Sequence, residues 1–376
     1  MSDNTIEIVG AGPAGLVAAI TLRRAGYAVT VYEERRDVGL RFHGDFQGIE
    51  NWSLDEDALD QLRRMGLTVN FRCAPFYRGT IFGPDRQRTE LRSDRPLFYL
   101  VRRGVVNDSL DQGLKAQALA LGVEIVFDRR MEKMEERAII ATGPKGADAI
   151  VKGVTFETDL PDQALAIMDD RLAPGGYAYL LVHQGLATMA TVLFREYNRE
   201  KEYFERTQAA FRALVRLDVR NPREFGGYGN FFLRSTEQHN RRLYAGESAG
   251  FQDILWGFGM RYAMPSGYLA AQSVLHGADY DRLWREDLLP RLRAALVNRL
   301  LVDRLGHIAY RYLLWRARRA EDVRGFAKRL YGPSFWKRLL LPFASRHYHS
   351  RVKDERCGHA ENCDCVWCRC QRAEPR

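Results

Sequence analysis

The sequence predicts an α/β protein with two interleaved β-sheet domains and a helical region after them. Three observations predict it. The chain opens on an apolar strand, Ile6-Glu7-Ile8-Val9, that runs into glycines at G-x-G-x-x-G spacing. A second strand follows the intervening helical stretch and ends on an acid, Glu33. Further strands and amphipathic helical stretches then alternate until residue 281, after which the pattern is helical and basic. Strands alternating with helical patterns are the signature of βαβ units.

The opening unit is Rossmann-like. Gly10 permits the tight turn after the strand, Gly12 lets a pyrophosphate approach the backbone, and Gly15 lets the helix pack on the sheet. Pro13 and Ala14 complete the turn and join these glycines as cofactor-binding candidates. The phosphates would sit at the helix N-terminus, where free N–H groups point outward. Glu33 lies 18 residues past Gly15, where a carboxylate accepts both ribose hydroxyls, and Glu34 beside it is a further candidate. By itself this unit implies a dinucleotide, NAD and FAD alike.

Residues 36–55 read as an irregular loop. A helix is expected over 54–65, with acids early and arginines late to suit its dipole. Strands are expected at 69–72 and 78–82, then a helix over 106–121 capped by Asn107, then a strand at 123–127. A β-branched strand from residue 137 runs into Ala141-Thr142-Gly143, a small-residue turn that allows close contact with a ligand. Alternation at 152–158 and 177–194 predicts a separate sheet, and 196–217 a charged amphipathic helix. The stretch Gly246-Glu247-Ser248-Ala249-Gly250 follows a short strand, and Gly257, Gly259, Ala263, Ser266 and Gly267 let the next helix approach a ligand or the sheet. The expected domains are 1–150 with 235–280, 68–102 with 151–234, a basic helical region 281–350, and a Cys-rich tail 351–376.

At 376 residues the chain can bury a large core. No apolar run reaches the roughly 18 residues a transmembrane helix needs. A strand from residue 6 leaves no room for a signal peptide, so the cytoplasm is the expected location. The net charge of +9 is segregated. Residues 282–351 carry 17 Lys/Arg against 5 Asp/Glu, residues 352–376 are balanced at 5 and 5, and the first 281 residues carry −3.

Three separated segments agree with one family pattern. The chain resembles the FAD-dependent oxidoreductases of the geranylgeranyl reductase group, within the p-hydroxybenzoate hydroxylase-like flavoprotein fold, over residues 1–280. Gly10, Gly12, Gly15 and Glu33 match the group's ADP-binding unit, which implies a Rossmann-like FAD-binding domain. Arg103 with Leu110 matches R-x-x-F-D-x-x-L, whose arginine contacts the flavin cofactor, with Asn107 in place of the usual Asp. Ala141, Thr142 and Gly143 stand at the second nucleotide-contact turn. Gly246-Glu247-Ser248-Ala249-Gly250 resembles G-D-A-A-G, whose acid contacts the ribityl and pyrophosphate part of FAD. Gly257-Phe258-Gly259-Met260 resembles G-E-G-I, which passes close to the isoalloxazine ring, with Phe258 for Glu and Ile254 for the usual Pro. Gly175-Gly176-Tyr177-Ala178-Tyr179 resembles a segment of the substrate-side sheet.

The resemblance implies that flavin performs the redox step while the protein orients it and excludes water. The loop after Glu33 would run toward the flavin, which nominates Arg41 as a contact and His43 as a proton donor; His43 reads equally as a loop histidine with local hydrogen bonds. No cysteine stands in that loop, against a cysteine-dependent mechanism. There is no second G-x-G-x-x-G unit, so the electron donor is either a transiently bound NAD(P)H or a protein. The leading function is hydride transfer through FAD to or from a hydrophobic, isoprenoid or lipid substrate. One alternative is a flavin monooxygenase using NAD(P)H and O₂; another is a flavin-bound interaction protein that recruits partners through its tail.

The basic segment mixes aromatics, leucines and cations at 308–316 and 335–343. That composition suits a helix lying peripherally on an anionic membrane, or a helical cap whose arginines are simply solvated. No recognition motif accompanies the charge, so nucleic acid is not expected. In the tail, Cys357, His359, Cys363, Cys365, Cys368 and Cys370 are enough to hold zinc, and a Cys₄ set also suits an iron–sulfur cluster; the remaining reading is an uncoordinated tail.

Overall fold

The computed structural model describes residues 4–131, 134, 137–144 and 146–348. β1 (Thr5–Val9), α1 (Pro13–Arg24) and β2 (Ala28–Tyr32) form the opening βαβ unit, with Ile8 opposite Val31 in a parallel pair. β3 (Phe46–Glu50), α2 (Ala58–Arg64), β4 (Cys73–Phe76), β5 (Arg78–Phe82), β6 (Arg88–Arg92) and β7 (Phe98–Arg102) follow. Then come α3 (Leu110–Ala120), β8 (Glu124–Val126) and β9 (Ala138–Ile140). The second half begins with β10 (Ala149–Glu157), β11 (Gln163–Ile167), β12 (Tyr177–His183), β13 (Leu186–Leu193), α4 (Glu200–Leu214) and β14 (Arg220–Gly229). β15 (Gln238–His239), β16 (Arg242–Tyr244) and α5 (Met260–His276) return to the first domain. α6 (Tyr280–Asp287), α7 (Leu289–Leu305), α8 (His307–Arg318), α9 (Val323–Tyr331) and α10 (Phe335–His347) complete the described chain.

Three sheets organise these elements. The first has the order β15-β16-β9-β1-β2-β8 and is parallel apart from its β15 edge. The second has seven strands, β14-β10-β13-β12-β11-β5-β6, and the third is the small sheet β3-β7-β4. Only β5 and β6 of the expected 68–102 stretch join the seven-stranded sheet; β4 and β3 each pair with β7 in the small sheet. α1 and α5 cross so closely that a Cβ on Gly267 would lie 2.0 Å from the Ala14 carbonyl oxygen. Alternation along β12 divides its side chains. Ala178, Leu180 and Val182 are fully buried and cluster with Phe204 and Phe211 of α4, whereas Tyr177, Tyr179 and Leu181 face the other way.

Several local expectations shift. The cap of α3 is Ser109, whose Oγ accepts from Gln112 N at 3.1 Å, and the helix starts at Leu110 rather than near Asn107. The strand expected at 69–72 forms at Cys73–Phe76, where β7 offers a partner. α4 starts late because Glu196 takes a left-handed φ of 56° and a 3₁₀ turn follows. No helix among the described residues is long and apolar enough to cross a membrane.

Candidate active site

One cavity of about 570 Å³ runs from the β1–α1 turn to the face of the seven-stranded sheet. Its first compartment is built by the opening unit. Gly10 holds φ +102°, and a Cβ there would lie 2.3 Å from the Ala141 carbonyl oxygen. Gly15 packs against Gly10, where a Cβ would meet the Gly10 carbonyl oxygen at 2.0 Å. Gly12 differs from both: its Cβ position meets nothing within 4 Å, so it opens onto the cavity. Glu33 Oε2 accepts from Ala11 N at 2.8 Å and Oε1 from Arg35 N at 3.1 Å. Burial pushes the Glu33 carboxyl above its ordinary value, against the pull of those two N–H groups.

The middle compartment is charged. Arg41 Nη1 pairs with Glu247 Oε2 at 2.5 Å, and Arg41 Nη2 donates to the Tyr228 carbonyl. Arg103 is buried; its Nε and Nη2 both reach Asp111 at 2.9 Å, its Nη1 donates to Gln47 at 3.3 Å, and its guanidinium lies 4.0 Å from the Phe42 ring centroid. Burial opposes the Arg103 charge, but the Asp111 carboxylate outweighs it and holds the guanidinium above its ordinary value. Asp45 is buried and accepts from His43 N and Gln47 Nε2, both at 2.9 Å.

The far compartment is apolar. β5, β6 and β11 supply Ile81, Leu91, Leu165 and Ala166, and β12 supplies Tyr177, Tyr179 and Leu181. α8 and α9 close it with Leu313, Leu314, Ala317, Phe326, Leu330 and Tyr331. Tyr177 donates to the Trp256 carbonyl at 2.8 Å. Burial, then the Asp45 carboxylate, raises the Tyr179 hydroxyl well above its ordinary pKa, so it stays protonated.

The structure gathers nearly all the nominated residues. Gly10, Gly12, Pro13, Ala14, Glu33, Glu34, Arg41, Arg103, Ala141, Thr142, Gly143, Gly246, Glu247, Gly257, Gly259 and Met260 all line this cavity. Gly15 does not, because its role is packing. His43 is not brought in either. It is exposed, its ring stacks on Phe225 at 6.0 Å, and the loop turns Asp45 toward the cavity instead. The expected metal ligands Cys357, Cys363, Cys365, Cys368 and Cys370 lie outside the described residues. Sequence reasoning missed Asp111 as the partner of Arg103, the β14 edge at Tyr228, and the wall from α8 and α9. The only hint of that wall was the apolar spacing of Leu313, Leu314 and Ala317.

The residues present fit FAD. Gly12 and Gly257, the latter at φ +83°, both have open space where a Cβ would stand. Arg41 Nε, Thr142 Oγ1 and Gln252 Oε1 are buried without a protein partner, and all three residues line the cavity. Polar atoms buried in this way call for a hydrogen-bonding ligand.

A family profile described as an NAD(P)-binding Rossmann-like domain matches residues 8–48. A geranylgeranyl bacteriochlorophyll reductase-like protein from Thermoplasma acidophilum superposes with a TM-score of 0.69 at 16% identity, over 93% of this chain and 98% of that one. A flavin-dependent brominase superposes with a TM-score of 0.65 at 14% identity, over 91% of this chain and 98% of the other. Kynurenine 3-monooxygenase from Stenotrophomonas maltophilia is 28% identical over 46% of this chain and 39% of its own, so the chain spans less than half the length of that relative. The fold of this chain is that of the FAD-dependent oxidoreductases.

Proposed function

We propose that this chain is an FAD-dependent oxidoreductase that passes hydride to or from an elongated apolar substrate. The observation that carries this reading is the continuity of one cavity from the Gly12 turn to an apolar compartment into which no lysine or histidine projects among the described residues. FAD, when bound, supplies the hydride-accepting and hydride-donating chemistry. The chain's own residues do the rest. The β1–α1 turn and Glu33 hold the adenosine end, and Thr142, Arg41 and Gln252 offer the unpartnered polar atoms along the way. The apolar wall excludes water from the reacting carbon. Tyr179 carries a proton at its hydroxyl, facing the same cavity, and serves as the proton donor when a carbon–carbon double bond is reduced. An isoprenoid chain matches that wall in shape and polarity.

The test is direct. The purified chain should release FAD on denaturation, identified by mass. After anaerobic reduction it should be reoxidised by an isoprenoid alkene with formation of the saturated product. Absence of flavin after reconstitution overturns the reading. NAD(P)H oxidation coupled to O₂ uptake and a hydroxylated product would replace it with the monooxygenase reading, which the brominase and kynurenine monooxygenase likenesses keep open at the level of fold.

A further inference from the structure

α8, which walls the apolar compartment, and α10, which packs on the core beside it, carry a second feature on their outer sides. We infer that the outer faces of α8 and α10 dock on an anionic lipid bilayer, and that the substrate enters the cavity from it. This rests on the apolar-substrate reading above.

α8 has two opposed faces. Ile308, Tyr312, Trp315 and Arg319 recur at a spacing that places them on one stripe of a helix with 3.6 residues per turn. All four are exposed, and the Arg319 guanidinium lies 4.5 Å from the Trp315 ring centroid. Leu313, Leu314 and Ala317, on the other side, line the cavity. A single helix of about 10 Å diameter therefore separates the cavity from this stripe.

α10 repeats the pattern with greater exposure. Phe335 is 73% and Trp336 69% exposed, with Leu339 and Phe343 on the same outer side. Leu340, Leu341 and Ala344 face inward. The outward apolar face is fixed in place. Ser334 caps the helix by accepting from Lys337 N, and Lys337 Nζ donates to the carbonyls of Arg329, Leu330 and Gly332 at 3.1, 2.6 and 2.8 Å. Nine of the fifteen large exposed apolar side chains among the described residues lie between residues 301 and 343. Such a concentration marks an interaction site rather than the scattered exposure of an ordinary surface.

Charge selects the occupant. Neither α8 nor α10 contains an Asp or Glu, and the span 323–348 holds six Lys/Arg and no acid. Arg311, Arg316, Arg338 and Arg346 are exposed beside the apolar stripes. Aromatics at headgroup depth with cations around them suit an anionic bilayer surface. With no helix among the described residues able to span, the contact lies in the plane of the interface. A substrate too apolar for water then moves from bilayer to cavity without crossing bulk solvent.

Flotation of the full chain tests this, using vesicles of phosphatidylcholine alone or mixed with phosphatidylglycerol. Recovery is expected with the anionic vesicles at low salt, and release at about 1 M salt, where the Debye length is about 3 Å. The combined variant Trp315→Ser, Phe335→Ser, Trp336→Ser should lower the partition coefficient by about tenfold or more for each aromatic that enters the interface. Its circular dichroism and bound-flavin absorbance should match the wild type, since none of the three lines the cavity. No recovery from anionic vesicles, equal recovery from neutral ones, or unchanged recovery of the variant overturns the inference. A vesicle-free dimer that the variant dissociates also overturns it, by giving the face to a second copy. The flavin spectrum is read on every sample, so failure of the FAD reading is distinguishable from failure to float.

Discussion

The Tyr331 hydroxyl donates to Asp253 Oδ2 at 2.8 Å, tying the last turn of α9 to the loop that leads into Gly257. Both groups are buried. Asp253 also accepts from Leu255 N and Trp256 N at 3.0 Å, yet burial pushes its carboxyl from 3.8 up to about 6. Between about pH 4 and pH 6 the folded protein holds a proton there that the unfolded chain has released. Stability from this site is full below about pH 4 and is lost as pH rises through about 6, by about 3 kcal/mol. Asp253→Asn removes the ionisation. Denaturant titrations of both proteins at about pH 4.5 and pH 7.5 should show a larger loss on raising pH for the wild type. Parallel losses would mean that Asp253 does not titrate in this window.

Gly12 and Gly15 should separate binding from folding. Gly12 has an extended backbone, φ −77° and ψ 177°, and open space at its Cβ position, so Gly12→Val should fold with nearly wild-type stability. Its side chain would occupy the space at the turn that a pyrophosphate needs, and bound FAD should fall by tenfold or more, on the order of 1.4 kcal/mol. Gly15→Ala should instead cost about 1–3 kcal/mol of stability, because its methyl meets a backbone oxygen that cannot move aside. Thermal melts and flavin titration read the two effects independently.

The Arg103–Asp111 pair is buried on both sides, with side chains 6% and 3% exposed. Asp111→Asn leaves an uncompensated guanidinium and weakens the acceptor for Gly104 N, 2.8 Å away. The expected loss is about 3–5 kcal/mol. Urea unfolding would show it as a lower midpoint, and a loss below about 1 kcal/mol would mean that water reaches Arg103.

What was legible in the sequence followed from backbone demands. Gly10 and Gly15 were readable because only glycine fits against the backbone oxygens they meet, and Gly12 and Glu33 because the βαβ unit fixes their spacing. The Arg41–Glu247 pair was readable as two separate nominations but not as a contact, since 206 residues separate its members. Asp111 was missed because it reaches Arg103 across a strand-to-helix turn with no period to follow. The wall from α8 and α9 was missed for a related reason. Periodicity shows that Leu313, Leu314 and Ala317 face inward, but a core and an apolar cavity demand the same residues. Where His43 would stand was not legible, because a loop's course is set by packing: Asp45, bonded to Gln47, lines the cavity, and His43 is exposed.

Under the proposed function, Tyr179 would fill the proton-donor role that the sequence offered to His43. Its ring lies on the inward face of β12, 6.1 Å from Tyr177 by centroid, and its hydroxyl is kept protonated by burial and by Asp45. Tyr179→Phe keeps the ring and removes the proton. Turnover of an alkene substrate should fall by about 10²–10⁴-fold while FAD content stays unchanged. The solvent deuterium isotope effect on turnover is the deciding readout. If carbon protonation by Tyr179 limits the wild type, the effect is large there and changes in the variant, where water must supply the proton. His43→Gln should leave both turnover and isotope effect as they are, since its ring is exposed and does not line the cavity. A large loss in the histidine variant with an unchanged tyrosine variant would return the proton donor to the loop.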